Sequence, residues 1–263
     1  MLILLPLAYP YQNWSQFTRV YLVSLVLVIS LSKLIGSVFL LVDDAIRLGE
    51  WAWLKVSALR GAPQLAQGVP PISRKMFLTN LALVAAVLPF GSFLYGMVRG
   101  AFNYKVHRVK VTLPHLPDSF NGLTIVQISD LHIGSFVSSE PLERAFEIVN
   151  AQKPDVIFFT GDLVNNLSTE VDPHLDVLKK LRAPMGVFST IGNHDYGDYV
   201  QWDSKEEKHA NFERLKSLHK EIGWDLLMNE HRILERGSEK IAVIGIENWG
   251  AAMNFPKRGD LPR

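Results

Sequence analysis

The sequence contains no cysteine among its 263 residues, which excludes disulfide bonds, thiolate nucleophiles and cysteine-ligated zinc sites. Formal charges nearly cancel, with 27 Lys and Arg residues against 26 Asp and Glu residues. Because no basic stripe is interleaved with aromatic residues, the sequence has no nucleic-acid-binding signature. The absence of cysteine leaves the cellular compartment open.

Charge is also scarce in two long stretches of the first hundred residues. Residues 20–42 contain one charged residue, Lys33, and residues 77–98 contain none. Each stretch can cross a bilayer core of about 30 Å at about 1.5 Å per residue. We expect residues 1–104 to form a membrane anchor with two transmembrane helices, near 20–42 and 77–98, and an intervening loop. The alternative is a pair of buried helices in a soluble domain, although neither stretch has a polar face.

Polar residues within the anchor carry further expectations. A lysine at the centre of a span costs about 2.5–3.5 kcal/mol in lipid, so Lys33 should face a partner helix. Ser30, Gly36 and Ser37 lie near it at helical spacing and predict a close-packing face. Residues 44–59 fit either an interfacial amphipathic helix or an ordinary connecting helix.

The loop between the spans ends in a basic pair. The sequence from Ser73 to Leu78, with Arg74 and Lys75 directly before an apolar run, resembles a twin-arginine export signal. This resemblance favours a cytoplasmic loop and an extracytoplasmic globular domain over residues 105–263.

Three polar motifs in that domain each follow a short apolar run of β-branched and aromatic residues. They are Ser129-Asp130-Leu131-His132, Thr160-Gly161-Asp162 and Ile191-Gly192-Asn193-His194-Asp195. The runs, at 123–128, 156–159 and 187–191, predict strands, and the amphipathic stretches between them predict helices. This alternation is typical of a parallel sheet, whose ligands bind beyond the carboxyl ends of the strands. A further alternating run, 106–113, predicts the first strand of the domain.

The side chains of these motifs suit metal binding. Asp and His residues supply mixed oxygen and imidazole ligands, which Mn, Fe, Zn or Co accept better than Ca does. Two such ions about 3.5–4 Å apart would provide a metal-bound hydroxide and stabilise in-line displacement at phosphorus. Taken singly, each residue has an ordinary explanation, since Asp after a strand is usually a turn or capping residue. Three motifs at successive strand ends favour a joint role.

The motifs Asp130-x-His132, Gly161-Asp162 and Gly192-Asn193-His194-Asp195 resemble those of the calcineurin-like metallophosphoesterase superfamily. Their context is similar to the membrane-associated bacterial branch that includes the YkuE-like phosphoesterases. The resemblance implies an α/β domain with a metallophosphoesterase-type β-sandwich flanked by helices. It also implies the following roles: Asp130 and His132 bind the first metal, Asp162 bridges, Asn193 binds the second metal, His194 acts as the acid, and Asp195 orients His194 by a hydrogen bond.

The sequence departs from that superfamily after His194. Members carry three further histidines, one on a later strand and two in a Gly-His-x-His motif. Here only His209, His219 and His231 follow. The first two fall in a Lys- and Glu-rich stretch, where we expect solvated side chains, and the third falls in a turn-like stretch. We therefore expect the chain to be truncated before the remaining metal ligands, which leaves the sandwich incomplete at the C-terminus.

The combined expectation is a membrane-anchored, metal-dependent phosphoesterase that uses two divalent metal ions to hydrolyse a phosphomonoester or phosphodiester. Placement beside a bilayer favours a lipid or envelope phosphoester as substrate. One alternative is a catalytically silent scaffold, or a fragment that retains half of the metal site. Another is a membrane-helix module whose soluble half supports assembly or transport. The oligomeric state is left open.

Overall fold

A computed structural model describes residue 14 and residues 17–59, 74–250, 255 and 257–260. The chain divides into two compact units, Met1–Tyr104 and Lys105–Arg263. The first unit contains a π-helical turn and two helices, namely Thr18–Leu22, α1 (Val23–Leu59) and α2 (Arg74–Val98). The helices of the second unit are α3 (Glu140–Ala151), α4 (Leu175–Leu178) and α5 (Lys205–Glu221). Its strands are β1 (Ile125–Ile128), β2 (Val156–Phe159), β3 (Val187–Ser189), β4 (Asp225–Leu226), β5 (Glu230–Arg236) and β6 (Glu239–Gly245).

Helix α1 continues well beyond the predicted span. It runs without interruption to Leu59, so the first part of the predicted loop is helical. Residues 43–59 contain no proline and many strong helix formers, which accounts for the extension. Arg74, the first residue of α2, donates hydrogen bonds to Asp43 at 3.3 Å and to Glu50 at 3.1 Å. The rest of the predicted loop, residues 60–73, lies outside the described residues.

The two helices approach each other through small residues. Ser32, Gly36 and Asp43 are the buried residues of α1, and Ala82 is buried on α2. A methyl group at Gly36 would lie 3.0 Å from the Ala82 carbonyl oxygen, so any larger residue would require the helices to shift by a few tenths of an ångström. Close backbone approach of this kind is typical of helix pairs in membranes, where small residues permit contact.

The structure contradicts part of the predicted packing face. Lys33 and Ser30 are exposed, whereas Ser32 and Gly36 face α2. Successive residues of a helix are about 100° apart, so Lys33 points away from the stripe that Ser32 and Gly36 define. Within the described residues, Lys33 therefore does not face the partner helix.

The four-stranded parallel sheet brings its three predicted strands together in the order β1, β2, β3, followed by β4. Ile128 pairs with Phe159, and Phe159 pairs with Ser189, so the carboxyl ends of β1, β2 and β3 lie at one edge. The prediction of parallel strands is confirmed. Residues 106–113 are not a strand, and Val109 and Val111 there are 80% and 71% exposed.

An antiparallel hairpin, β5–β6, packs on one face of this sheet. Its Leu234 joins a buried cluster with Phe120, Val156, Phe188 and Leu227. Helices α3 and α5 each bury one apolar stripe, which includes Leu142, Phe146 and Val149 in α3 and Leu215 and Leu218 in α5. The domain is therefore α/β. Its buried apolar residues lie between the two sheets and on the inner faces of the flanking helices.

The later histidines differ from one another. His209 is exposed on α5, as expected, and His231 is exposed in strand β5 rather than in a turn. His219 is completely buried, which corrects the prediction that it is solvated. It follows Leu215 by four residues and so falls on the apolar face of α5. Its Nδ1 lies 2.9 Å from Ser189 Oγ.

Candidate metal centre

Three loops meet at the carboxyl edge of the sheet, the first after β1, the second after β2 and the third after β3. The predicted ligands in the first two loops have unusual backbone conformations. Asp130 and His132 follow β1 with φ of 55° and 44°, and Asp162 follows β2 with φ of 59°. The left-handed region is uncommon for residues other than glycine, and such outliers cluster at functional sites. All three therefore have a conformation that the surrounding structure must hold in place.

Backbone hydrogen bonds hold the first two loops side by side. Asp130 N donates to the Gly161 carbonyl and His132 N donates to the Asp162 carbonyl, both at 3.0 Å. The second and third loops approach equally closely, because a side chain at Gly161 would collide with the backbone of Gly192. A side chain at Gly192 would collide with Asp162 in turn. Glycine at these two positions is what allows the polar residues beside them to converge.

The side chains of these loops form one cluster. Ligand atoms of His132, Asp162 and His194 all lie within 4.8 Å of one another. His132 Nε2 is 3.8 Å from Asp162 Oδ2 and 3.9 Å from Asp130 Oδ1. The structure thus brings the predicted ligands Asp130, His132 and Asp162 together. It also places His194, the predicted acid, in the same cluster, where its ring meets that of His132 edge-on at 4.7 Å.

This donor set fits a divalent cation. Asp162 is 7% exposed, and among the described residues its only ion-pair partner is His132. A carboxylate buried to this extent is stabilised by a positive charge nearby. Imidazole nitrogen and carboxylate oxygen together suit Mn, Fe, Zn or Co. His132 and Asp162, with Asp130 at the rim, are the residues that would hold such an ion, and His194 lies beside them.

Hydrogen bonds fix the orientation of the third loop. His194 N donates to Asp162 Oδ1 at 2.8 Å, which joins the loop to the buried carboxylate. His194 Nδ1 lies 2.8 Å from the carbonyl oxygen of Asn165. A carbonyl only accepts, so Nδ1 carries a proton and Nε2 is the nitrogen left for a cation or a substrate. Asn193 Nδ2 donates to Tyr199 Oη at 2.8 Å.

Asp195 does not orient His194, which corrects the predicted hydrogen bond between them. Its carboxylate is fully buried beneath the loops and accepts four backbone N–H groups at 2.8–3.2 Å, those of Asp162, Leu163, Val164 and Gly192. Burial raises the pKa of Asp195 to about 7, and three of these N–H groups, of Gly192, Val164 and Asp162, oppose the rise. Asp195 therefore ties the second loop to the third.

Sequence reasoning also missed Glu170. Its carboxylate accepts from Asn165 N at 2.6 Å and from Leu167 N at 3.2 Å. It thereby holds the stretch whose carbonyl orients His194. A glutamate three residues after the start of a helical turn is a capping signal, and that spacing was the clue available in the sequence.

Two family models match separate parts of this chain. Residues 123–248 match the model described as "Calcineurin-like phosphoesterase". The chain belongs to the calcineurin-like phosphoesterases. Residues 1–101 match a second model, "Probable Calcineurin-like phosphoesterase, transmembrane domain". The predicted resemblance is confirmed. The transmembrane model and helices α1 and α2, which are long and apolar enough to cross a membrane, indicate membrane association.

Individual relatives agree with the family. The chain is 33% identical over 188 residues to a "Transmembrane protein with metallophosphoesterase domain" of Danio rerio, covering 69% of this chain and 39% of the relative. It is 36% identical over 136 residues to the uncharacterized metallophosphoesterase YkuE of Bacillus subtilis, covering 49% and 46%. It is 38% identical over 100 residues to the UDP-2,3-diacylglucosamine pyrophosphatase LpxG of Chlamydia trachomatis, covering 38% and 30%. The chain thus spans less than half the length of each of these relatives.

Proposed function

We propose that this chain carries the metal site of a membrane-anchored phosphoesterase that hydrolyses a phosphomonoester or phosphodiester with two divalent cations. The observation that carries the proposal is the convergence of His132, Asp162 and His194 at the carboxyl edge of the parallel sheet. Ligands of α/β sheets bind at this edge, and nitrogen and oxygen ligands of this kind are typical of catalytic metal sites.

Each residue has a role that its position supports. His132 and Asp130 would hold one cation, and Asp162 would be shared between the two cations. Asn193 would offer its amide oxygen to the second. His194 has no hydrogen-bond partner at Nε2 among the described residues, and in the imidazolium form this nitrogen could donate to a phosphoryl oxygen or pass its proton to the leaving group. The chemistry that the cations supply when bound is activation of water and neutralisation of charge on the phosphoryl group.

We propose a lipid-linked phosphoester as the substrate class. The chain matches a transmembrane family model, and one relative is named as a pyrophosphatase of a diacylated sugar nucleotide. An active domain tethered beside a bilayer meets amphipathic substrates at high local concentration. We further propose that the anchor is multi-pass, because it has two helices of spanning length, and that the domain is extracytoplasmic, because the basic pair Arg74-Lys75 lies at the start of α2.

Hydrolysis of bis-p-nitrophenyl phosphate and p-nitrophenyl phosphate by the chain in detergent, with and without Mn²⁺, tests the proposal. Asp162→Asn should reduce the Mn²⁺-stimulated rate by about 10²-fold or more, because it removes the bridging charge. The substitution preserves an oxygen that can still accept from His194 N. Asp155→Asn is the matched control, since Asp155 caps Thr124 N at 2.8 Å at the opposite edge of the sheet.

A calorimetric Mn²⁺ titration of the same proteins separates the alternatives. Mn²⁺ binding and hydrolysis that Asp162→Asn abolishes and Asp155→Asn preserves would support the enzyme. Mn²⁺ binding without hydrolysis of either ester would favour the catalytically silent scaffold or a fragment with half a site. A chain that binds no Mn²⁺ would overturn the proposed metal site.

A further inference from the structure

Tyr199 lies beside two residues of the candidate metal centre without belonging to any of the sequence motifs. Its ring centroid is 4.4 Å from that of His194, with the two planes inclined by 30°. Its hydroxyl oxygen accepts a hydrogen bond from Asn193 Nδ2 at 2.8 Å. The side chain is nonetheless 52% exposed. A tyrosine that contacts both residues and remains open to solvent lies at the entrance of the centre.

The hydroxyl engages the nitrogen of the Asn193 amide and leaves the oxygen available. An amide group has a donor nitrogen and an acceptor oxygen at nearly the same distance from the backbone. Only the oxygen can bind a cation. Because Tyr199 Oη accepts from the nitrogen, the amide is held in place with its oxygen free of this contact. Orientation of a ligand by a group that does not touch the metal is a general feature of metal sites.

The ring acts on the other neighbour. His194 is fixed on one side by the Asn165 carbonyl and meets the ring of His132 edge-on. The Tyr199 ring covers His194 in a near-stacked arrangement and so limits rotation of the imidazole. The two contacts of Tyr199 are separable, since one uses the hydroxyl and the other the ring.

We infer that Tyr199 is a positioning residue of the proposed phosphoesterase site, with its hydroxyl orienting the Asn193 amide and its ring orienting His194. This inference rests on the proposed function, in which Asn193 binds a cation and His194 assists the leaving group. It adds a residue at the entrance that none of the three motifs contains.

Two variants separate the contacts. Tyr199→Phe removes only the hydroxyl, and calorimetric titration should show Mn²⁺ affinity falling by about 10-fold, the usual effect of losing an outer partner of a ligand. Tyr199→Leu removes the ring as well and should lose kcat in addition, with a changed pH profile, because His194 is no longer held. Melting temperatures of both should stay near wild type, since the side chain is half exposed.

Tyr196→Phe is the matched control. Tyr196 lies in the same loop and is buried, and its hydroxyl donates to Glu247 at 3.0 Å rather than to a member of the metal cluster. Its loss should lower the melting temperature while Mn²⁺ affinity stays near wild type. The electron paramagnetic resonance spectrum of bound Mn²⁺ gives a further readout, which Tyr199→Phe should alter and Tyr196→Phe should not.

The outcomes distinguish the two levels of inference. Wild-type protein that binds no Mn²⁺ would overturn the proposed function. Wild-type protein that binds Mn²⁺, together with unchanged affinity, spectrum and kcat in both Tyr199 variants, would overturn the role of Tyr199 alone. Weakened Mn²⁺ binding in Tyr196→Phe equal to that in Tyr199→Phe would also count against it, because loop integrity would then explain the effect.

Discussion

The two units of this chain bury opposite kinds of residues. In the helical unit, α1 buries Ser32, Gly36 and Asp43 and exposes large apolar side chains such as Leu34 and Leu41, each 64% exposed. In the phosphoesterase domain, the largest fully buried side chains are almost all apolar. Water drives apolar residues inward, whereas in lipid small and polar residues gain most from contact between helices.

A buried polar residue is therefore ordinary in the helical unit and exceptional in the domain. In the helical unit, Asp43 belongs to the general pattern of polar contact between helices. In the domain, a buried polar side chain is an exception that must be compensated by specific hydrogen bonds. Asp195 and His219 are two such exceptions, both with no exposed surface. Their substitution, and that of the Arg74–Asp43 pair, tests whether the contrast holds.

The largest effect is expected at Asp195. Asp195→Ala leaves four backbone N–H groups without their acceptor, so the free energy of unfolding should fall by about 3–4 kcal/mol. Urea unfolding of the chain in detergent, followed by pulse proteolysis, measures this change. Mn²⁺ binding should weaken as well, because the second and third loops lose their link.

Asp155→Ala provides the comparison for that experiment. Its carboxylate accepts one backbone N–H, that of Thr124, in an exposed setting. We expect a loss below about 1 kcal/mol there. Equal destabilisation by Asp195→Ala and Asp155→Ala would contradict the prediction. A buried carboxylate in this domain would then depend on its hydrogen bonds no more than an exposed one does.

The sequence was sufficient for β1, β2, β3 and the cluster at their ends, and insufficient for residues 106–113 and for Asp195. Short apolar runs and the motifs after them predict that Asp130, His132 and Asp162 meet, because parallel strands end at one edge. The direction of the Asp195 side chain depends on the turn at His194–Tyr196, which no pattern in the sequence specifies. The sequence neighbour of a functional residue was predicted to contact it, whereas its partners are three backbone N–H groups of another loop and one of its own.

His219 provides a pH-dependent test of the same domain. Burial lowers its pKa to about 4, below the value of 6.5 of an unfolded histidine. The unfolded histidine therefore binds the proton first, and the contribution of His219 to stability should fall as the pH falls from about 7 towards 4, whereas that of Asp195, whose pKa is raised, should rise. Between pH 7 and pH 5 this loss amounts to about 2 kcal/mol. Urea unfolding at several pH values should show a smaller slope for His219→Gln, which cannot titrate.

His209→Gln is the control on the same helix. His209 is exposed on α5, so its replacement controls for changing a histidine of this helix without altering the buried site. Burial also lowers the pKa of His174, so some slope should persist in every variant. A His219→Gln protein with the full wild-type slope would show that this buried histidine is not a source of the acid sensitivity.

In the helical unit, hydropathy predicts that the helices are long and apolar but does not predict the faces through which they pack. Runs without charge predict that α1 and α2 are long and apolar, which they are. The face of each helix is not predictable in the same way, because an apolar environment leaves no polar side to identify. The free-energy cost of a lysine in lipid predicted that Lys33 lies at the contact between the helices. The contact instead occurs at the smallest residue, Gly36, which permits the closest approach.

The smallest effect concerns the ion pair at the start of α2. Asp43 is buried and lies 3.3 Å from Arg74, so a double-mutant cycle of Asp43→Asn and Arg74→Gln should give a coupling energy of about 1 kcal/mol. Because the chain has no cysteine, dyes on cysteines introduced at Lys55 and Thr79 can report separation of the helices by energy transfer during an SDS titration. The same cycle on the exposed pair Asp44 and Arg47, 3.7 Å apart, should give almost no coupling. Equal coupling in both cycles would mean that burial adds nothing to an ion pair in this unit, and polar contact would then not distinguish it from the domain.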